Sequence, residues 1–153
     1  MNSIDILYAD NMDGFARKYP EELVMDRFEA LFKLLQLDGV ELSCSFVSDE
    51  DMRLLNSQWR GKDEPTDILS FVQEDGDDIP GVQEGGLRML GDLIISPESL
   101  KRNSEYFTVS EDEELHRLLV HGVLHLLGGD HETNEPDEPM LKRQEELLAV
   151  LRR

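Results

Sequence analysis

Three histidines lie within the stretch HGVLHLLGGDH, residues 121–131: His121, His125 and His131. The first two are four positions apart. On a helix that spacing projects two side chains from one face, a turn apart. Two imidazoles so placed bind one metal ion without bending the backbone. Gly128 follows them, and glycine accepts the left-handed conformation that reverses a chain. The turn would return His131 to the same ion from a loop. Three neutral nitrogens with one open position form a catalytic zinc arrangement rather than a closed structural one. Zinc in such a setting lowers the pKa of its bound water to ~7 and supplies hydroxide at neutral pH. The flanking residues are rich in Leu and Val, where unpaired imidazoles would be costly, so metal binding is the expectation. Nickel, iron and cobalt also accept three imidazoles, and the spacing does not choose among them. His116 falls off this face and reads as a surface or packing residue.

Metzincin peptidases share this His–His–Gly–His spacing, with a Glu directly after the first His as general base. Here that position is Gly122, which removes the base and leaves room for a close neighbour or for substrate. Arg60 follows Trp59 in WRGKDEPT, residues 59–66, a segment whose Gly and Pro read as a loop. A guanidinium there holds two phosphate oxygens at once, or else pairs with one of the many acids. Lys62 contacts phosphate or pairs with Asp63 or Glu64. Asp130 precedes the third His and reads as an acceptor orienting an imidazole, as a base, or as a turn residue. Thr66, Asp67, Ser70 and Asp92 read as structural, and Met140 as a core residue.

The elements that must position these groups alternate. Residues 3–9, 40–47, 67–72 and 90–95 read as strands from their patterning. A helix from Pro20 to about Leu37 carries Val24, Phe28, Leu31 and Leu35 as its apolar stripe, and Gly39 suits its stop. Ser48 caps a helix over residues 49–58, Ser96-Pro97 opens another, and Ser110 with Glu113 forms a capping box for residues 111–127. A last helix covers about 137–151. The expected fold is α/β (α+β): about four strands in a mixed sheet flanked by about five helices, with the metal site on a helix and its following turn.

With 153 residues, the chain fits one domain, residues 1–153. Its single cysteine, Cys44, lies in an apolar run and reads as buried, in keeping with a reducing cytoplasm. The N-terminus has no basic-then-apolar signal pattern, and no apolar run is long enough to span a membrane. The net charge is −19, from 34 acidic and 15 basic residues. Acids crowd residues 74–84, 111–114 and 130–138. Such a balance argues against non-specific coating of nucleic acid. Any nucleic-acid role must use a local basic site, and Arg60, Lys62, Arg88, Lys101 and Arg102 would form one strip if the loops converge on the metal.

Taken together, these segments resemble the YbeY family of bacterial endoribonucleases. HGVLHLLGGDH is similar to the family's H-G-x-L-H-L-x-G-Y-D-H, with Gly129 in place of the usual Tyr. RGKDEPTDILSF, residues 60–71, is similar to R-x-K-x-x-x-T-D-V-L-S-F, and GDLIIS, residues 91–96, to G-D-I-x-I-S. The resemblance implies a four-stranded sheet, zinc on the three His, and Arg60 as partner in catalysis. It implies single-strand-specific RNA cleavage in 16S rRNA 3′-end maturation and ribosome quality control, with the small ribosomal subunit or a ribosomal protein as partner. A non-catalytic, zinc-containing assembly factor that binds a ribosomal protein is the alternative, and a metallopeptidase a more distant one.

Overall fold

The computed structural model describes residues 1–73, 86–129 and 138–153. In chain order the described elements are β1 (Ser3–Tyr8), α1 (Asp13–Lys18), α2 (Glu21–Leu34), β2 (Val40–Phe46), α3 (Asp49–Arg60), β3 (Ile68–Val72), β4 (Arg88–Ile95), α4 (Pro97–Phe107), α5 (Glu111–Leu126) and α6 (Pro139–Leu151). The strands form one sheet in the order β1-β2-β4-β3. β1, β2 and β4 are parallel, and β3 closes the edge antiparallel to β4. This is the mixed four-stranded sheet expected from the sequence. The short α1 is the one described helix that neither apolar spacing nor a cap marked.

Local chemistry accounts for the helix starts. Ser48 accepts a hydrogen bond from Asp51 N at 3.2 Å, Ser96 from Ser99 N at 3.3 Å and Ser110 from Glu113 N at 3.0 Å. Each satisfies an amide that the first turn leaves unpaired. Two stops differ from expectation. α2 ends at Leu34, and Gln36 takes the left-handed conformation at φ 58° three residues before Gly39, which does so again at φ 70°. α3 continues to Arg60 and is terminated by Gly61 at φ 72°. Arg60 therefore stands in the last turn of a helix and not in a loop, because the residue able to reverse the chain comes directly after it.

One face of the sheet carries the core. β2 turns Val40, Leu42, Cys44 and Phe46 inward, where Phe28 and Phe32 of α2 and Leu115, Leu119 and Val123 of α5 cover them. Cys44 is buried as expected, and burial pushes its thiol far above the ordinary range. α5 approaches the sheet at Gly122. A Cβ there would lie 2.7 Å from Leu93 Cδ2 and 3.0 Å from Ile68 Cδ1, inside van der Waals contact. Gly122 thus makes room for a neighbour rather than for substrate. Gly91 of β4 does the same one layer over, at φ 144°. A Cβ on it would meet the Phe71 carbonyl oxygen at 2.1 Å and Leu126 Cδ2 at 2.9 Å. The β2–β4 register skips a residue at this point, between Glu41 and Leu42.

His116 is a packing residue, buried between α2 and α6. Its Nδ1 lies 3.4 Å from Arg152 Nη1, and its Nε2 has no hydrogen-bond partner among the described residues. Burial, then the charges of Arg27 and Arg152, pull its pKa from 6.5 down to about 4, against a smaller upward pull from Asp112.

Two predictions follow from this packing. Gly122→Ala should destabilise the fold by about 1–3 kcal/mol, since Leu93 is fully buried and has nowhere to move; urea unfolding with wild-type stability would contradict the close approach. Unfolded His116 gains its proton near pH 6.5 and folded His116 only near 4, so the fold loses stability as pH drops through that interval. His116→Leu should therefore show a shallower fall in unfolding midpoint between about pH 6.5 and 5 than wild type, and parallel curves would rule this out.

Candidate functional site

His121 and His125 lie on the side of α5 next to its sheet-facing glycine. Both rings are partly exposed, and their Nε2 atoms converge to 3.1 Å, with ring centroids 4.6 Å apart at 70°. Two nitrogens bound to one tetrahedral zinc at ~2.0–2.1 Å stand about 3.3 Å apart, so this separation fits a shared cation. The expected pair is therefore brought together with the donor atoms facing each other. His131 and Asp130 lie outside the described residues. Among the described residues no set of three metal donors meets.

Behind His121 is a residue that the sequence reading did not single out. Gln144 of α6 is buried, and its Oε1 is 2.6 Å from His121 Nδ1. Its Nε2 donates to Glu145 Oε2 at 3.0 Å. Arg117 of α5 grips Glu145 through Nε at 2.9 Å and Nη2 at 3.1 Å, and also reaches Glu113 and Glu114. Glu114 is buried, and that burial raises its carboxyl above the usual range despite the Arg117 contact. Glu145 goes the other way. Its burial pushes upward, but the hydrogen bonds from Arg117 and Gln144 outweigh it and lower its pKa. A signal for Gln144 did exist: it interrupts the apolar stripe of Met140, Leu147 and Leu148 on the buried face of α6.

The turn after α5 matches expectation at Gly128, which has φ 97°. Gly129 carries the one departure from the family pattern in this block. A Cβ there would sit 2.8 Å from the Leu124 carbonyl oxygen and 3.3 Å from Met140 Sδ. Met140 is buried under this turn as a core residue.

Arg60 is exposed, and its guanidinium engages no carboxylate among the described residues. The nearest acid in sequence, Asp63, is committed elsewhere. Asp63 pairs with Arg53 at 2.6 Å, and Asn56 Nδ2 holds the Glu64 carbonyl at 2.8 Å. Lys62, also exposed, thus does not take Asp63. Trp59 is 62% exposed and meets the Phe71 ring edge-on at 5.8 Å. Phe71 in turn adjoins Gly91 and Leu126, the neighbour of His125. The last turns of α3 and α5 therefore flank the same stretch of β3.

Other residues behave as structural groups. Asp67 accepts from Asn103 at 2.9 Å, and Asp92 accepts from the Ser43 hydroxyl. The five-cation strip does not form. Arg102 is tied to Asp49 at 2.7 Å and to Ser99 at 2.9 Å. Arg88 begins β4, whereas Lys101 and Arg102 follow its far end, about 20 Å away at the rise of a strand.

Known proteins resemble this chain in sequence and in fold. The family model described as Endoribonuclease YbeY matches residues 9–152. Endoribonuclease YbeY of Treponema denticola is 42% identical over 147 residues, covering 96% of this chain and 92% of the relative. The protein of the same name from a Sulfurihydrogenibium species is 41% identical over 131 residues, covering 86% and 82%. The solution structure of TM1509 from Thermotoga maritima superimposes with a TM-score of 0.62 at 26% identity, covering 97% of this chain and 88% of that one. Sequence and fold agree, and the chain belongs to the Endoribonuclease YbeY family.

Proposed function

We propose that this chain is a cytoplasmic, zinc-dependent endoribonuclease that cuts single-stranded RNA, with His121, His125 and His131 as metal ligands. The observation that supports it most is the convergence of the His121 and His125 Nε2 atoms to 3.1 Å, with His121 Nδ1 already engaged by Gln144. Family membership favours RNA as the substrate. On the same reading, the RNA is the 3′ end of 16S rRNA, the role extends to ribosome quality control, and the partners are the small ribosomal subunit or one of its proteins.

Zinc at such a site supplies a Lewis acid and a bound water acidified to ~7. The protein's own part is to hold the phosphate. Arg60 presents a planar fork that binds two phosphate oxygens and offsets the charge that builds up during cleavage. It remains available for this because the neighbouring Asp63 is occupied by Arg53. Asp130 is proposed as an imidazole-orienting acceptor or a proton carrier. In this reading the acidic body limits RNA contact to the few phosphates at the site.

A peptidase mechanism is disfavoured by packing. The space a carboxylate at position 122 would need is filled by Leu93 and Ile68. Helices long and apolar enough to cross a membrane are absent among the described residues.

The decisive comparison uses wild type, Arg60→Ala and His125→Ala, purified alike, on single-stranded ribosomal RNA. Wild type should bind one zinc and cleave. Arg60→Ala should keep its fold and zinc while cleavage falls by about 10²–10³. His125→Ala should lose both zinc and cleavage. Zinc-loaded wild type that cuts no faster than either variant would instead indicate a non-catalytic assembly factor.

A further inference from the structure

The Gln144 amide has a defined orientation. One of its ends faces His121 Nδ1 and the other faces the Glu145 carboxylate, at 2.6 and 3.0 Å. A carboxylate only accepts hydrogen bonds, so the NH₂ end must face Glu145 and the carbonyl end must face His121. The reversed amide would set oxygen against oxygen. Glu145 cannot turn away to relieve this, since Arg117 holds both of its oxygens. The carbonyl of Gln144 then requires a proton on His121 Nδ1. A neutral imidazole with its proton on Nδ1 has its lone pair on Nε2, the atom that faces His125.

We infer that Gln144 is a positioning residue: oriented by the Arg117–Glu145 pair, its amide holds His121 in the Nδ1–H tautomer, with the Nε2 lone pair directed at the cation position. This rests on the reading of His121 as a metal ligand. The buried amide adds no charge at the site. It reaches His121 from a different helix, so metal affinity is coupled to the packing of α6 on α5. Partners of this kind fix ring orientation and tautomer, and their loss weakens metal binding about 10–100-fold.

The test reads the tautomer and the metal separately. Histidine nitrogen shifts of the metal-free protein, recorded at about pH 8 where imidazoles are neutral, report which nitrogen of His121 bears the proton. Competition titration with zinc alone gives the affinity. Wild type should show Nδ1–H. Gln144→Met, of similar shape but without the carbonyl, should populate Nε2–H and bind zinc about 10–100-fold more weakly. Gln144→Glu keeps an acceptor opposite Nδ1 and should retain the wild-type tautomer. Glu145→Ala, at a half-exposed position, should shift both readouts in the direction of Gln144→Met by a smaller amount. A Gln144→Met protein with the wild-type tautomer and affinity would overturn the inference. Should wild type bind no zinc, the metal reading falls, and the tautomer comparison alone then decides the role of Gln144.

Discussion

The close approach of α5 to the sheet at Gly122 is the constraint on which the candidate site depends. With Leu93 and Ile68 against the bare Cα, the helix can neither rotate nor lift without losing buried contact. Its rotation decides where every other residue on it points. Positions 115, 119 and 123 go into the core, and 121 and 125 go to the side beside the edge strand. Position 117 faces α6. A larger residue at 122 would move both imidazoles together with the helix. The feature that separates this helix from a peptidase's is therefore also the one that seats it.

Much of this was legible in the sequence where the physics is local. The caps at Ser48, Ser96 and Ser110 depend on one side chain and an amide three residues on. The pairing of His121 with His125 needs only helical periodicity. Where an outcome depended on a competition between neighbours, the reading shifted. Gly61 rather than the Gly- and Pro-rich composition ended α3, which moved Arg60 onto a helix. Gln36 ended α2 before Gly39 was reached.

What escaped the sequence depends on tertiary contact. Gln144 is separated from His121 by 23 positions, and only the packing of α6 on α5 brings them together. The polar residue in an apolar stripe was visible, but its partner was not. For His116 the sequence left surface and packing roles open, because its burial is imposed by α2 and the end of α6. The separation of Arg88 from Lys101 and Arg102 follows from the direction of β4, which charge composition cannot express.

Net charge alone would assign this chain away from RNA, yet the arrangement of its ion pairs works against that assignment. Arg27, Arg53, Arg102, Arg117 and Arg152 each have a carboxylate partner. Arg60 has none among the described residues, on a body with 34 acids. Asp63 is drawn off to Arg53, and Asn56 holds the main-chain carbonyl of Glu64. An exposed arginine gains little from one surface ion pair, so leaving it open costs the fold little stability. Its planar fork stays open to a two-oxygen anion, while the Asp63 carboxylate is already engaged by Arg53. The last turns of α3 and α5 both lean on the Phe71 stretch of β3. The register of one edge strand therefore relates the end of α3, which carries Arg60, to the end of α5, and this is a matter of local geometry that the charge of the whole protein does not express.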